Sequence, residues 1–206
     1  MNNIYNCAGF FPNDKELGYR FLEVMKDATK QVDLLAASNQ LCENYFINRY
    51  MKKQVTVAET FRVFDVCALE KSWSYALKGK KVLVVSPFSK SVETQYAKRE
   101  LLFPGTEILP EFELQTYQSL MTVGDLQDER FKDWFEALEF MKKEILEKDF
   151  DVAILGCGAY GFPLAAEIKK TGRQAIHMGG AFQIMFGIMG KRWDGTRHGG
   201  PKKIQK

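Results

Sequence analysis

The chain is poor in the residues that would point to an oxidising compartment, a zinc module or a membrane. Among its 206 residues are four cysteines, Cys7, Cys42, Cys67 and Cys157, and two histidines, His177 and His198. The cysteines are too widely spaced for C-x-x-C or a Cys/His zinc pattern, which leaves reduced thiols in a cytoplasmic protein as the expectation. No apolar run approaches the length of a membrane span, and the opening MNNIYNCAGFFP lacks a basic segment followed by an apolar core. Internal repeats and low-complexity segments are absent as well. Positive charge is scarcer than the net +3 suggests: residues 191–206 carry six Lys/Arg against Asp194 alone, so the rest of the chain is at about −2. A broad basic face for nucleic acid is therefore excluded.

What is present suits one α/β domain over 1–193 followed by a loose basic tail over 194–206. Asp151–Trp193 sets the class. Val152–Leu155 is a short apolar run, Gly156, Gly158 and Gly161 form a turn, and Phe162–Lys170 is an amphipathic helix stopped at Gly172. A second strand, Gln174–Met178, then Gly179-Gly180 and a further apolar helix complete a β-α-β unit. Its crossover helix requires a parallel sheet, buried on both faces by helices.

Upstream, Asn13 with Glu16 predicts a capped helix carrying Leu17, Phe21, Val24, Met25 and Ala28 on one face. Val32–Ala37 predicts a buried strand, Leu41–Met51 a helix, Gln54–Leu69 β-prone chain and Lys71–Leu77 a short helix. Lys81–Val85 predicts a parallel-type buried strand, followed by a loop at 86–91 and a helix to about Leu101. Glu107–Leu120 reads as extended. The stripe Phe131, Trp134, Phe135, Leu138, Met141 and Ile145 predicts the clearest helix, Phe131–Leu146.

Two loops at strand ends are candidates for ligand. Gly156-Cys157-Gly158-Ala159-Tyr160-Gly161 matches G-x-G-x-x-G between a strand and a helix, where glycines let a backbone approach a pyrophosphate. A dinucleotide also wants an acid at the end of the next strand, and His177-Met178-Gly179-Gly180 has none, so an NAD(P) oxidoreductase is the weakest reading. Ser86, Ser89 and Ser91 surround a second helix start, which suits either an anion or a plain cap.

The runs G-x-G-A-Y-G-x-P-L-A-A-x-I-K and A-I-H-x-G-G-A-x-Q-x-x-F-G-I-x-G-K-R-W resemble the GT-D-type glycosyltransferase-like domains of bacterial surface-polysaccharide proteins. So do N-x-A-G-F-F-P at Asn6–Pro12, Ser86-Pro87-Phe88, Gln95-Tyr96 with Arg99-Glu100, and Leu109-Pro110-x-Phe112. The resemblance implies a Rossmann-like, mostly parallel α/β fold and transfer of a sugar from a nucleotide-sugar donor, UDP-linked first, to a glycan acceptor. A second copy of the chain or a partner enzyme is left open. Characterised GT-D enzymes carry an acidic D-x-E motif near the N-terminal end that helps hold a divalent metal. The corresponding place here is Asn6-Cys7-Ala8, before Gly9, without either acid, which calls manganese or magnesium into question and allows a non-catalytic partner module as the alternative.

A departing nucleoside diphosphate needs a metal or fixed N–H and cationic donors. The candidates are the helix starts after Gly158 and Ser89, together with Lys191-Arg192, whose other reading is a solvated helix end. Glu93 and His177 are the candidate proton acceptors, with a dipole-complementing glutamate and a hydrogen-bonded structural histidine as their alternatives. Tyr160 belongs to the glycine turn, Gly179 and Gly180 to the second, and Gln183 either binds a base or sugar or caps its helix.

Overall fold

A computed structural model describes residues 2–38, 40–59 and 72–190. The protein is α/β, and every strand pair among the described residues is parallel. Four strands form the main sheet: β3 (Lys81–Ser86), β4 (Glu113–Gln118), β5 (Val152–Leu155) and β6 (Gln174–His177), in the order β4-β3-β5-β6. A separate pair, β1 (Leu34–Ala37) and β2 (Thr56–Glu59), makes a two-stranded sheet.

The strand residues alternate between two cores. Leu83, Val85, Ala153 and Leu155 enter one with helices α6 (Trp134–Leu146) and α7 (Gly161–Lys170) and with Phe10 and Phe11. Val82, Val84, Val152 and Ile154 enter the other with Val92 of α4 (Ser89–Tyr96) and with Phe182 and Met185 of the one-turn α8 (Phe182–Met185). This period-2 partition is why β3 and β5 read as continuous apolar runs: each face is buried. Fully burying a Val, Leu or Ile contributes about 1.5–3 kcal/mol relative to exposure.

The helices begin where side chains take up the free first-turn N–H groups. Asp14 caps α2 (Lys15–Thr29), accepting from Leu17 N at 2.8 Å, so the cap is one residue after Asn13. Asp133 caps α6, accepting from Phe135 N and Glu136 N, and this starts the helix at Trp134 rather than Phe131. The helix expected after the 86–91 loop and reaching about Leu101 begins earlier, at Ser89, and divides into α4 and a single turn, α5 (Arg99–Leu102). Lys71–Leu77 narrows to a 3-10 turn, Trp73–Leu77, capped by Ser72.

Other departures are larger. Residues 2–8, to which the sequence pattern assigns no element, form α1 (Asn2–Ala8), held by Gly124 N to Tyr5 O and Phe10 N to Ile4 O. The strand expected to be buried at Val32–Ala37 is a four-residue strand whose Leu34 is 51% exposed, because its only strand partner among the described residues is β2. Helix α3 (Glu43–Tyr50) buries no residue fully; the rings of Tyr45, Phe46 and Tyr50 contact one another. The β-prone stretch survives as β2, and its continuation over 60–69 lies outside the described residues, as do Cys67, His198, Lys191, Arg192, Trp193 and the tail over 194–206. Cys7 and Cys42 are exposed free thiols, and Cys157 is buried and free.

Because the sheet is parallel, its C-terminal edge collects Ser86, Gln118, Leu155 and His177. The chain leaves β3 toward β4 on one side and leaves β5 toward β6 on the other, so the connections diverge between β3 and β5. Ligands of open parallel sheets bind at such a divergence.

Candidate functional site

The glycine turn is at the divergence, but its close approaches are made by the protein itself. A Cβ at Gly156 would stand 2.1 Å from the Phe182 ring, one at Gly158 2.5 Å from the Ala8 carbonyl oxygen, and one at Gly161 2.6 Å from the His177 ring. Gly158 also has φ of +60°, a conformation L side chains rarely adopt. Here the three glycines admit α8, α1 and β6 to the turn, so the motif serves packing at each of its positions. Tyr160 is likewise inward: it stacks on Trp134 with ring centroids 5.4 Å apart, and its hydroxyl meets Thr122 Oγ1 at 2.9 Å. Thr122 donates its one proton to Gly9 O at 2.5 Å, so Tyr160 is the donor to Thr122. Burial raises the Tyr160 pKa, while the bond to Thr122 opposes that. Burial also pushes the Cys157 thiol up to about 12, leaving it protonated and unreactive at neutral pH.

His177 ends β6 with Nε2 buried and without a hydrogen-bond partner. Burial lowers its pKa to about 4, so the ring is neutral at pH 7. It fills the space beside Gly161, and its Nε2 is 4.0 Å from where a Gly179 Cβ would stand. Gly179 and Gly180 form a 3-10 turn leading into α8. Gln183, 4% exposed, accepts from Phe186 N and Ile188 N through its backbone carbonyl, and its side chain fills the space beside Gly190.

The loop after β3 is more accessible. Ser86 Oγ accepts from Phe88 N, Ser89 Oγ donates to Gln118 Oε1, and Gln118 Nε2 donates to Pro87 O. Both hydroxyls are therefore engaged, Ser86 within the loop and Ser89 in fastening it to the end of β4. Ser91 is exposed and, with Lys90, Thr94 and Gln95, forms one wall of a cleft of about 350 Å³; Gly187, Ile188 and Met189 form the other. Among the described residues Lys90 has no ion-pair partner.

Glu93 is on the same helix but turned elsewhere, accepting a hydrogen bond from Thr116 midway along β4. Asn6 is exposed on α1, and Gly9 is buried against Thr122. The structure thus joins Ser91 to the stretch before Lys191, joins Gly161 to His177, and joins Gly9 to Tyr160 through Thr122. It brings neither Glu93 nor His177 into the lining of the cleft. Asn6-Cys7-Ala8, the stretch the resemblance sets against D-x-E, offers an amide and a methyl group at the two acidic positions, a poor donor set for manganese or magnesium. Among the described residues no group of three or more His, Cys, Asp or Glu is placed to hold a metal.

Residues not singled out from the sequence as site residues include Thr94, Gln95 and Gly187–Met189, which line the cleft, and Thr122, which links two predicted site residues. The sequence signal for Thr122 was its place just beyond a strand's C-terminal end. For Gln95 and Gly187 it was only their inclusion in the resembling runs. Those runs do converge: Tyr96 stacks on Phe112 with centroids 4.4 Å apart, and its hydroxyl meets Phe112 N and O and Pro110 O.

A second cleft, of about 500 Å³, lies at the start of α6, lined by Arg20, Arg130, Phe131, Lys132, Asp133, Phe135, Glu136 and Glu139. Lys132 is paired with Glu136, Arg130 with Asp128 and Glu139 with Lys142. Its charges are thus largely balanced within the chain, unlike the wall that carries Lys90. No protein-family profile, curated protein or solved structure matches the chain.

Proposed function

We propose that this chain is a Rossmann-like, GT-D-like glycosyltransferase-type protein that binds a nucleotide-sugar donor, UDP-linked first, in the cleft between α4 and Gly187–Met189. The observation that carries this reading is the meeting of Lys90 and Ser91 with Gly187–Met189, a segment that runs in sequence within two residues into Lys191-Arg192. A diphosphate needs cationic and hydrogen-bond donors of this kind when no carboxylate-held metal is available. In the reaction the acceptor hydroxyl oxygen bonds to the anomeric carbon, the bond from that carbon to the diphosphate breaks, and the hydroxyl proton passes to a base. The acceptor is a glycan of surface-polysaccharide synthesis, and the compartment is the cytoplasm. Among the described residues no helix is long and apolar enough to cross a membrane.

A panel of UDP-, GDP- and dTDP-sugars, with and without manganese or magnesium, tests the reading by melting temperature. A rise with one of them is expected, and no rise with any of them refutes donor binding. A second reading, a non-catalytic nucleotide-binding or partner module, is favoured by the separation of Glu93 and His177 from the cleft. It predicts binding without sugar transfer or donor hydrolysis.

A further inference from the structure

Both walls of the cleft between α4 and Gly187–Met189 are built on the core. Ile188, like Leu102 and Phe103, packs against the buried cluster of Val92, Phe182, Met185 and Phe186. Opposite it, Lys90, Ser91, Thr94 and Gln95 come from successive turns of α4, so Gln95 stands about 6–7.5 Å further along the helix axis than Ser91 and Lys90. Two of these side chains are already partly engaged. Thr94 Oγ1 donates its proton to Lys90 O at 2.8 Å, and Gln95 Nε2 donates to Gly187 O at 3.1 Å. A carbonyl oxygen only accepts, so the second bond fixes which way the Gln95 carboxamide faces. Turned over, it would set Oε1 against Gly187 O, acceptor on acceptor. The approach requires glycine: a Cβ at Gly187, whose φ is +60°, would stand 3.2 Å from Gln95 Nε2 and 2.9 Å from Leu102 Cδ2. Gln95 Oε1 is left without a hydrogen-bond partner among the described residues, and it is not buried.

We propose that Gln95 reads the base in this cleft: its fixed Oε1 accepts a hydrogen bond from a ring N–H of the bound nucleotide and so selects uracil over cytosine. The assignment deepens the nucleotide-sugar reading of the same cleft and rests on it. The two pyrimidines differ at the edge concerned, because N3 of uracil carries a hydrogen and N3 of cytosine a lone pair. A carboxamide free to turn over serves either base, by its oxygen or by its N–H. One held by Gly187 O presents an acceptor at a set position, and cytosine N3 would face it lone pair to lone pair. A site built around a hydrogen bond rejects the ligand that cannot make it, since a polar group is then left unpaired. Lys90 and Ser91, a turn earlier on α4, take the diphosphate, and the ribose spans the interval between them and Gln95.

Calorimetric titration of the intact chain with UDP, CDP and N3-methyl-UDP, in which a methyl replaces the N3 hydrogen, tests the assignment. Wild type should bind UDP about fivefold more tightly than either of the other two, the factor one neutral hydrogen bond is worth. In Gln95→Ala the three should bind alike, with UDP weakened to the level of CDP. Equal binding of UDP and either analogue by wild type overturns the assignment and leaves the nucleotide reading standing. A preference for UDP that persists in Gln95→Ala overturns it too, because the base is then read by another residue. The wild-type comparison needs no variant and decides the matter even where Gln95→Ala does not fold. Absence of binding by wild type to all three nucleotides refutes the nucleotide reading, and the assignment of Gln95 falls with it.

Discussion

The His177 imidazole occupies the space that a side chain at Gly161 would need, with Cδ2 2.6 Å from the position of a Cβ there. Gly161 has φ of −63° and ψ of −40°, so its backbone is helical and any residue could adopt it. The need for glycine comes from the neighbour across the turn rather than from conformation.

Gly161→Ala is therefore expected to destabilise the protein even though alanine is the better helix former by about 1 kcal/mol. Overpacking against a buried ring costs about 1–3 kcal/mol, which outweighs that gain. Urea unfolding should show a lower midpoint at unchanged slope. In a His177→Ala background the same substitution should lose most of its penalty, and a penalty of equal size there would contradict the contact.

The same histidine predicts a pH dependence. Its folded pKa is lowered to about 4 by burial, against an ordinary value of 6.5. Between those values the unfolded chain binds the extra proton and the folded chain does not, so stability is full above about pH 6.5 and falls as the pH drops toward 4. The loss is on the order of 2–3 kcal/mol. Denaturation midpoints measured across this range should slope for wild type and flatten for His177→Gln; parallel slopes would contradict the assignment.

Thr122 is the hinge of a buried chain of hydrogen bonds, accepting from Tyr160 and donating to Gly9 O. Thr122→Val keeps the shape and leaves both partners unpaired, which costs about 1–3 kcal/mol for each buried group. Thr122→Ser should retain the bonds and lose only the methyl contacts. Calorimetry comparing the two variants checks the order, with valine the less stable.

At the cleft, Lys90→Ala and Ser91→Ala should each weaken UDP binding while leaving the melting temperature without ligand nearly unchanged. Both residues are exposed, and substitutions away from buried features change stability by about 0.5 kcal/mol or less. The ammonium, a charge partner for phosphate, should matter more than the hydroxyl. Calorimetric titration that finds UDP binding unaltered in Lys90→Ala would move the nucleotide away from this cleft.

The main sheet was legible in the sequence because its signals are local. Val152–Leu155 and Lys81–Val85 are short apolar runs with β-branched residues, and their helical connections carry a 3.6-residue stripe. What was less legible depended on partners remote in sequence. Asn2–Ala8 has weak helix formers and is ordered by Gly124 and by the chain at Phe10. Leu34–Ala37 reads as buried because it is apolar, yet burial is decided by what lies across it. The glycine turn shows the limit most clearly. G-x-G-x-x-G states that something comes close to the backbone, and only the fold reveals that Ala8, Phe182 and His177 do so. The cleft at Lys90 and Ser91 was half visible, since its helix start can be read and its opposite wall, nearly a hundred residues further on, cannot.

The seat of the amino-terminal segment sets an order of events during synthesis. The Ala8 carbonyl lies on Gly158, Phe11 O accepts from Trp134 N, and Gly9 O is held by Thr122. Residues 8–11 are made before all of these partners, and the full set of contacts cannot form until the chain has passed residue 158. Closing such distant contacts is slow compared with making a helix. A nascent chain halted before Gly158 must therefore carry Phe10 and Phe11 without their finished core, which Leu164 and Ile168 complete.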